Sequence, residues 1–135
     1  MDRLAQLNDN MLPFSKLMGV RFVTAERDRI VAELLIRDDL CTRRGVAHGG
    51  VLMAFADTLG ATGTIMNLLA GMRTTTIESK TNFVGGAPAG TLLVGESTPI
   101  HRGKTTMVWQ TRIATEEEKL VALVTQTQFV FAPKS

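Results

Sequence analysis

The sequence predicts an α+β fold in which a curved antiparallel sheet wraps around one long central helix. One observation is an apolar segment that starts near Gly49 and runs to about Ala70, with apolar residues on nearly every face when it is drawn as a helix. A second observation is that strand-like stretches lie on both sides of this segment. A helix that is apolar all round needs cover on all sides, and a sheet curled around it provides that cover.

The length and composition predict a single domain over residues 1–135. A chain of 135 residues with 44% hydrophobic residues is large enough for one core and too short for a second. The formal charge of +2 is small, and the basic residues are scattered along the chain. We therefore expect no nucleic-acid partner.

The cysteine and histidine content excludes two kinds of site. A single cysteine, Cys41, cannot form an intrachain disulfide, and it gives no metal-ligand set with the two histidines. We therefore expect no metal site and a reducing compartment. The first 12 residues carry charges and no long apolar run, so they are not a secretory signal, and we expect a cytoplasmic protein.

The apolar segment over residues 45–72 is long enough to span a bilayer, which takes about 20 apolar residues. It contains His48, Asp57, Asn67 and many glycines and threonines, and the rest of the chain is patterned as strands. We therefore expect no membrane partner.

Before the central helix, the sequence predicts one helix and a hairpin. Apolar residues recur at helical spacing over residues 3–17, which predicts a short amphipathic helix interrupted by Pro13. Stretches rich in Val, Ile, Phe and Leu follow over residues 20–25 and 30–36, with a polar turn between them. A polar, Arg-rich loop over residues 38–47 then leads into the central helix.

After the central helix, the sequence predicts strands only. The helix is expected over about residues 49–70, with Gly71 as its C-terminal cap. The β-branched residues from Thr74 to Val84 predict the first of these strands. Three further strands close an antiparallel meander, over residues 91–100, 105–114 and 120–131. Exposed edges of such a sheet favour pairing with a second copy of the chain.

Asp57 is the first candidate for chemistry. It is the only acidic residue between Asp39 and Glu78. An ionised carboxylate in apolar surroundings is costly unless it is paired, hydrogen-bonded or functional. Two interpretations stay open: a catalytic group, or a buried aspartate satisfied by backbone amides or by Arg73.

Gly49 and Gly50 place unpaired backbone N–H groups at the predicted start of the central helix, where the helix dipole can polarise a carbonyl. The alternative is that the two glycines only turn the chain into a tightly packed helix. Asp57 lies eight residues after Gly49, about 12 Å along a helix, too far to act on a carbonyl held by Gly49 of the same chain. A two-fold dimer with antiparallel central helices would bring Asp57 of one subunit near Gly49 of the other.

Three further candidates carry weaker signals. His48 could be an acid, a base or an orienting group, and a histidine that fixes a loop by hydrogen bonding is the interpretation we prefer. Thr76 could place a water molecule, although threonine is also a common strand residue. The turn His101-Arg102-Gly103-Lys104 suits a phosphate-bearing ligand, although charged turns are common.

Together these pieces form a family pattern. His48-Gly49-Gly50 followed by Ala56-Asp57, the strand Thr76 to Phe83 and the turn His101-Arg102-Gly103 resemble the hotdog-fold acyl-CoA thioesterases. The similarity is greatest to the phenylacetic-acid-degradation type and to the related 4-hydroxybenzoyl-CoA enzymes, from about Leu17 to Phe131. The resemblance implies the hotdog fold, hydrolysis of an aryl or medium-chain acyl-CoA, no cofactor, and a homodimer that pairs again into a tetramer.

The resemblance also implies roles for the candidate residues. The amide of Gly49, with Gly50 beside it, would hold the thioester carbonyl, and Asp57 of the neighbouring subunit would act as general base or nucleophile. Thr76 falls where relatives carry a Ser or Thr that positions water. The turn over residues 101–104 falls where the nucleotide or pantetheine of coenzyme A is often met.

One position departs from the family pattern. Six residues before His48, several relatives have Gln or Asn, whose amide contacts the thioester, and this chain has Thr42. Either a carbonyl contact is missing or Arg43 replaces it. Two other functions stay open: a hotdog module that binds acyl-CoA without turnover, and a dehydratase or hydratase that acts on a thioester.

Overall fold

The structure is a computed structural model that describes residues 2–134. Within this range the chain forms three α-helices, a short 3-10 helix at Asp38–Leu40 and six strands. The helices are α1 (Arg3–Asp9), α2 (Pro13–Met18) and α3 (Gly49–Ile65), and the strands are β1 (Arg21–Glu26), β2 (Arg29–Leu35), β3 (Arg73–Phe83), β4 (Leu92–Arg102), β5 (Thr106–Thr115) and β6 (Leu120–Phe131).

The strands form one antiparallel sheet in the order β1-β2-β4-β5-β6-β3, across the described residues. Strands β4, β5 and β6 make the predicted meander, and β3 pairs with β6 and ends the sheet at one edge. Helix α3 packs against β2 to β6, and its Phe55 and Leu59 are fully buried with Leu93 and Ile113 of the sheet. This arrangement confirms the predicted fold class.

The N-terminal helix is two helices, which corrects the prediction of one helix over residues 3–17. Helix α1 ends at Asp9, and Pro13 is the first residue of α2. Proline has no N–H group and a fixed φ, so it suits a helix start, and it holds the preceding Leu12 in an extended conformation.

The central helix ends at Ile65, which corrects the predicted end near residue 70. The Asn67 side chain donates hydrogen bonds to the carbonyl oxygens of Gly63 and Arg27, each at 2.8 Å. It thereby occupies a carbonyl at the helix end and ties that end to the β1–β2 turn. Gly71 has a φ of 82° in the turn before β3, so it does not cap the helix as predicted.

One side of α3 is left uncovered within a single chain, although the apolar pattern predicts a fully buried helix. Its residues follow one another at helical spacing, and we call them the open stripe. They are exposed or half-buried, while the opposite side of the helix is buried against the sheet. The open stripe consists of Gly50, Met53, Ala54, Asp57, Ala61 and Ile65.

No helix within the described range 2–134 is both long enough and apolar enough to span a membrane.

The buried side of α3 depends on a glycine that allows the sheet to approach. A Cβ atom on Gly63 would lie 2.7 to 2.8 Å from the Trp109 ring, and both residues are buried. Such contacts are too short for van der Waals packing, and the Trp109 ring is held by the core on its other sides.

We predict that Gly63→Ala destabilises the protein. Overpacking against Trp109 should cost about 1–3 kcal/mol, and the better helix propensity of alanine offsets about 1 kcal/mol of that cost. Urea unfolding measures the difference. Gly86→Ala is the control, because a Cβ there would meet Val46 at an ordinary 3.7 Å. A higher midpoint for Gly63→Ala, as helix propensity alone would give, would contradict the packing argument.

Candidate active site

His48 caps the N-terminus of α3. Its Nδ1 atom accepts a hydrogen bond from the Gly50 N–H at 2.8 Å, and its carbonyl oxygen accepts the Val51 N–H at 3.0 Å. The Gly49 N–H has no acceptor among the described residues. Of the two glycine amides at the positive end of the helix dipole, the one that stays free for a ligand is therefore Gly49.

The loop before α3 is held by main-chain hydrogen bonds. The His48 N–H donates to the Leu40 carbonyl at 2.9 Å, and the Ala47 N–H donates to the Ala87 carbonyl at 2.8 Å. At the loop tip, the Thr42 hydroxyl accepts the Arg44 N–H at 3.3 Å. Thr42 therefore stabilises the turn of its own loop. Its short side chain does not replace the side-chain amide of the Gln or Asn that the family pattern has at this position.

Phe83, the last residue of β3, lies against the free amide. A Cβ atom on Gly49 would come within 3.0 Å of the Phe83 ring. Phe83 is 56% exposed, so it is an apolar wall at the open side of the helix start. A glycine at position 49 is what allows a ligand to approach the amide beside this ring.

Asp57 lies on the open stripe of α3 and is anchored on one side by two neutral donors. Its Oδ1 atom accepts a hydrogen bond from the Thr76 hydroxyl at 2.6 Å and one from Gln126 Nε2 at 3.2 Å. Among the described residues neither Arg73 nor a backbone amide is a partner, so the alternative in which those groups satisfy Asp57 is wrong. Oδ2 has no hydrogen-bond partner within residues 2–134.

Two glutamines on β6 complete this arrangement, and the sequence analysis missed them. Gln126 and Gln128 are fully buried on the inward face of the sheet, in line with Val124 and Val130. The alternation of side chains along β6 could have revealed them. It places both glutamines on the face that carries the buried apolar residues of the strand. Buried glutamines need hydrogen-bond partners, which here are the side chains around Asp57.

A β-bulge at Ile77 decides which side chains of β3 face the helix. Thr76 pairs with Gln128 and Glu78 pairs with Thr127, so Ile77 is the extra residue. Before the bulge Thr76 faces inward, and after it Ser79 faces inward while Glu78 is exposed. The bulge therefore keeps a second carboxylate away from Asp57.

The structure places the predicted site residues in three groups along α3. Asp57 and Thr76 meet in one chain, while Gly49 lies on the same helix about 12 Å away by the helix rise. Arg102 of the predicted phosphate-binding turn lies near the other end of α3, where its Nη1 atom is 3.5 Å from Asn67 Oδ1. Gly49 and this turn are therefore at opposite ends of the helix.

The turn itself is compact. His101 and Arg102 end β4, and the Gly103 N–H donates to the Thr106 carbonyl at 2.8 Å. The His101 imidazole lies over Gly103, where a Cβ atom would overlap it. Lys104 is exposed.

A comparison with known families assigns the chain. The sequence model of the thioesterase superfamily matches residues 44–122, which is more than half of the chain and includes both α3 and β3. The chain belongs to the thioesterase superfamily. It is therefore an enzyme that hydrolyses thioesters, as the pattern around Gly49 and Asp57 predicted.

Individual relatives agree with this assignment. The thioesterase is 27% identical over 106 residues to 1,4-dihydroxy-2-naphthoyl-CoA hydrolase of Listeria monocytogenes, covering 78% of this chain and 85% of that protein. It superposes on a thioesterase of Haemophilus influenzae with a TM-score of 0.90 and 27% identity, covering 98% and 92% of the two chains. It also shares its fold with PaaI of Escherichia coli, from the phenylacetic acid degradation operon, with a TM-score of 0.88, 20% identity and coverage of 98% and 94%. These matches confirm the hotdog fold.

We predict that His48→Ala destabilises the thioesterase by about 0.5–2 kcal/mol, because the Gly50 N–H loses its capping acceptor. Asn is a good capping residue, so His48→Asn should retain most of the stability. Urea unfolding of both variants measures the difference. An equal loss in the two variants would show that the cap does not stabilise the helix.

Proposed function

We propose that the thioesterase hydrolyses an acyl-CoA, with Asp57 as general base or nucleophile and the Gly49 amide as the group that polarises the thioester carbonyl. The observation that carries this proposal is the position of Asp57: a carboxylate on the open stripe, held through one oxygen only. The Listeria relative supports the carrier, because its name specifies a CoA thioester.

Each active site would need two chains, because Gly49 and Asp57 are too far apart within one. Met53, an exposed residue of the open stripe, lies midway between these two residues in sequence. Two copies of α3 packed antiparallel about Met53 would place Gly49 of each chain beside Asp57 of the other. We therefore propose a homodimer as the minimal active unit.

Strand β3 supports the same dimer. It is an edge strand of 11 residues, and its free edge lies beside two exposed apolar side chains, Ile77 at 58% and Phe83 at 56%. A long edge with apolar side chains is a surface that another strand readily covers. A second copy of β3 would continue the sheet across the two-fold axis, and we propose that such dimers pair into a tetramer.

The chemistry is an acyl transfer to water. The Gly49 N–H would bind the carbonyl oxygen and stabilise the negative charge that develops on it. As general base, Asp57 takes a proton from water while the water oxygen attacks the carbonyl carbon. As nucleophile, Asp57 attacks first and water then cleaves the anhydride. In both routes the C–S bond breaks, the thiolate takes up a proton, and the products are the free acid and coenzyme A.

The remaining candidates are given supporting roles in this proposal. Thr76 orients Asp57 and can accept a hydrogen bond from the attacking water. His48 orients the helix start by accepting the Gly50 N–H. Because that N–H is already bonded, Gly50 would contribute only space beside the bound carbonyl. The turn over residues 101–104 belongs to the subunit that supplies Asp57, and Arg102 and Lys104 would meet the phosphates of coenzyme A.

We predict that Asp57→Asn lowers thiol release from acyl-CoA by at least about 100-fold, because the neutral amide is neither a base nor a nucleophile. Release of free thiol from a panel of aryl and medium-chain acyl-CoAs measures this. Glu117→Gln is the matched control, since Glu117 is an exposed carboxylate in the turn between β5 and β6, outside both α3 and β3. Full activity in Asp57→Asn would refute the mechanism, and an inactive wild type that these compounds stabilise against heat would indicate a binding module.

We predict that two inactive variants restore activity when they are combined. Asp57→Asn destroys one half of a shared site, and Gly49→Val blocks the other half beside Phe83. In co-expressed mixed dimers one of the two sites is intact, so random pairing should recover about a quarter of wild-type activity. Recovery of none would show that the site lies within one chain.

A further inference from the structure

We propose that Gln126, Gln128 and Thr74 are positioning residues, which hold Asp57 so that one defined carboxylate oxygen reacts. The inference rests on the proposed function, since it takes Asp57 as the reacting group. It adds three side chains that do not touch the substrate and assigns each a task.

The direction of every hydrogen bond in this network follows from Asp57. An ionised carboxylate can only accept, so Thr76 must donate its one hydroxyl hydrogen to Oδ1 at 2.6 Å. Thr76 must then accept from its neighbour, which is Gln128 Nε2 at 2.6 Å. This orients the Gln128 amide, and its Oε1 atom accepts the Thr74 hydroxyl at 2.9 Å. The chain Thr74–Gln128–Thr76–Asp57 has only one consistent order of donors.

Gln126 provides the second donor to Asp57 and is held by packing. Its carboxamide lies under α3 against Gly60, where a Cβ atom would overlap it. Its Nε2 atom faces Asp57 at 3.2 Å, while its Oε1 atom is buried without a donor in the described part of the chain. A buried oxygen without a partner is a cost in stability. The amide keeps this orientation because the flipped one would place Oε1 against the carboxylate.

The two donors lie on the same carboxylate oxygen. Oδ1 is therefore saturated, and the other oxygen is left without a partner from within residues 2–134. A half-turn of the carboxylate only exchanges two equivalent oxygens. One oxygen still lies beside Thr76 and Gln126, and the other still lies in the position without a donor. Water or the thioester would meet the free oxygen, Oδ2, whichever of the two mechanisms operates.

The network also limits what Thr76 can do. Its one hydrogen is donated to Asp57 and one lone pair accepts from Gln128, which leaves a single lone pair. A water molecule between Thr76 and Asp57 would therefore donate one hydrogen to each of them. Its oxygen lone pairs would remain free for attack on the carbonyl.

The test replaces each glutamine by methionine, which keeps the length of the side chain and removes its hydrogen bonds. We expect Gln126→Met and Gln128→Met each to lower kcat roughly 10- to 100-fold, because small errors in geometry are costly to catalysis. We expect KM to stay within about twofold, since neither residue contacts substrate. Gln126→Met removes a donor to Asp57 and also the unpaired oxygen, and because these two losses have opposite effects on stability, we expect its Tm to change little.

Thr111→Val is the matched control. Thr111 is fully buried and donates a hydrogen bond to Ser97 at 3.0 Å, outside the network around Asp57. It loses a buried hydrogen bond of the same kind, so we expect a lower Tm with kcat unchanged. A loss of kcat that follows Tm equally in control and glutamine variants would overturn the positioning role.

Thr74→Val tests the hydrogen bond farthest from Asp57 in the series Thr74–Gln128–Thr76–Asp57. It also provides a second variant if a methionine variant fails to fold. We expect a few-fold lower kcat, and no further loss when it is combined with Gln128→Met, because both act through Thr76. Asp57→Asn, measured in the same assay, distinguishes failure of the positioning role from failure of the proposed function. If it is inactive while the glutamine and threonine variants keep full kcat, the positioning role alone is overturned; if it is fully active, the proposed function is overturned as well.

Discussion

The hydrogen bond from Thr76 to Asp57 joins the edge strand to the central helix at the point where the chemistry would occur. An apolar helix tolerates Asp57 because neutral donors from β3 and β6 stabilise its charge. No cation in the described part of the chain pairs with it. The bulge at Ile77 and the glycine at position 60 both serve this contact. The bulge sets which side chains of β3 face the helix, and Gly60 leaves space for Gln126 beneath the helix.

The second constraint is the polarity of α3. A helix offers its free amides only at its N-terminus, and Asp57 lies eight residues further on. A site that uses both groups must therefore be built from two helices, and the open stripe and the unpaired edge of β3 are the surfaces on which this would happen. In this account the dimer is a requirement of the chemistry as well as a way to cover apolar surface.

The sequence predicted the fold because its strongest signals are local. The period of two along the strands and the all-round apolar helix are readable residue by residue, and so is Asp57 as the one acidic residue in its region. Helix ends were predicted less well, since the end at Ile65 depends on Asn67 bonding to Arg27, forty residues earlier. The roles of Gln126 and Gln128 could not be predicted, because they follow from the pairing of β6 with β3 and from a bulge that changes which residues face inward.

The central claim is that one thioester is held by the amide of one subunit and attacked through the carboxylate of the other. A crystal structure of the Asp57→Asn variant with a bound acyl-CoA tests it most directly. We expect the thioester oxygen about 3 Å from the Gly49 N–H of one subunit, with the carbonyl carbon facing the residue-57 side chain of its partner. A thioester whose nearest Gly49 and residue 57 belong to the same subunit, or one bound away from both, would contradict the account.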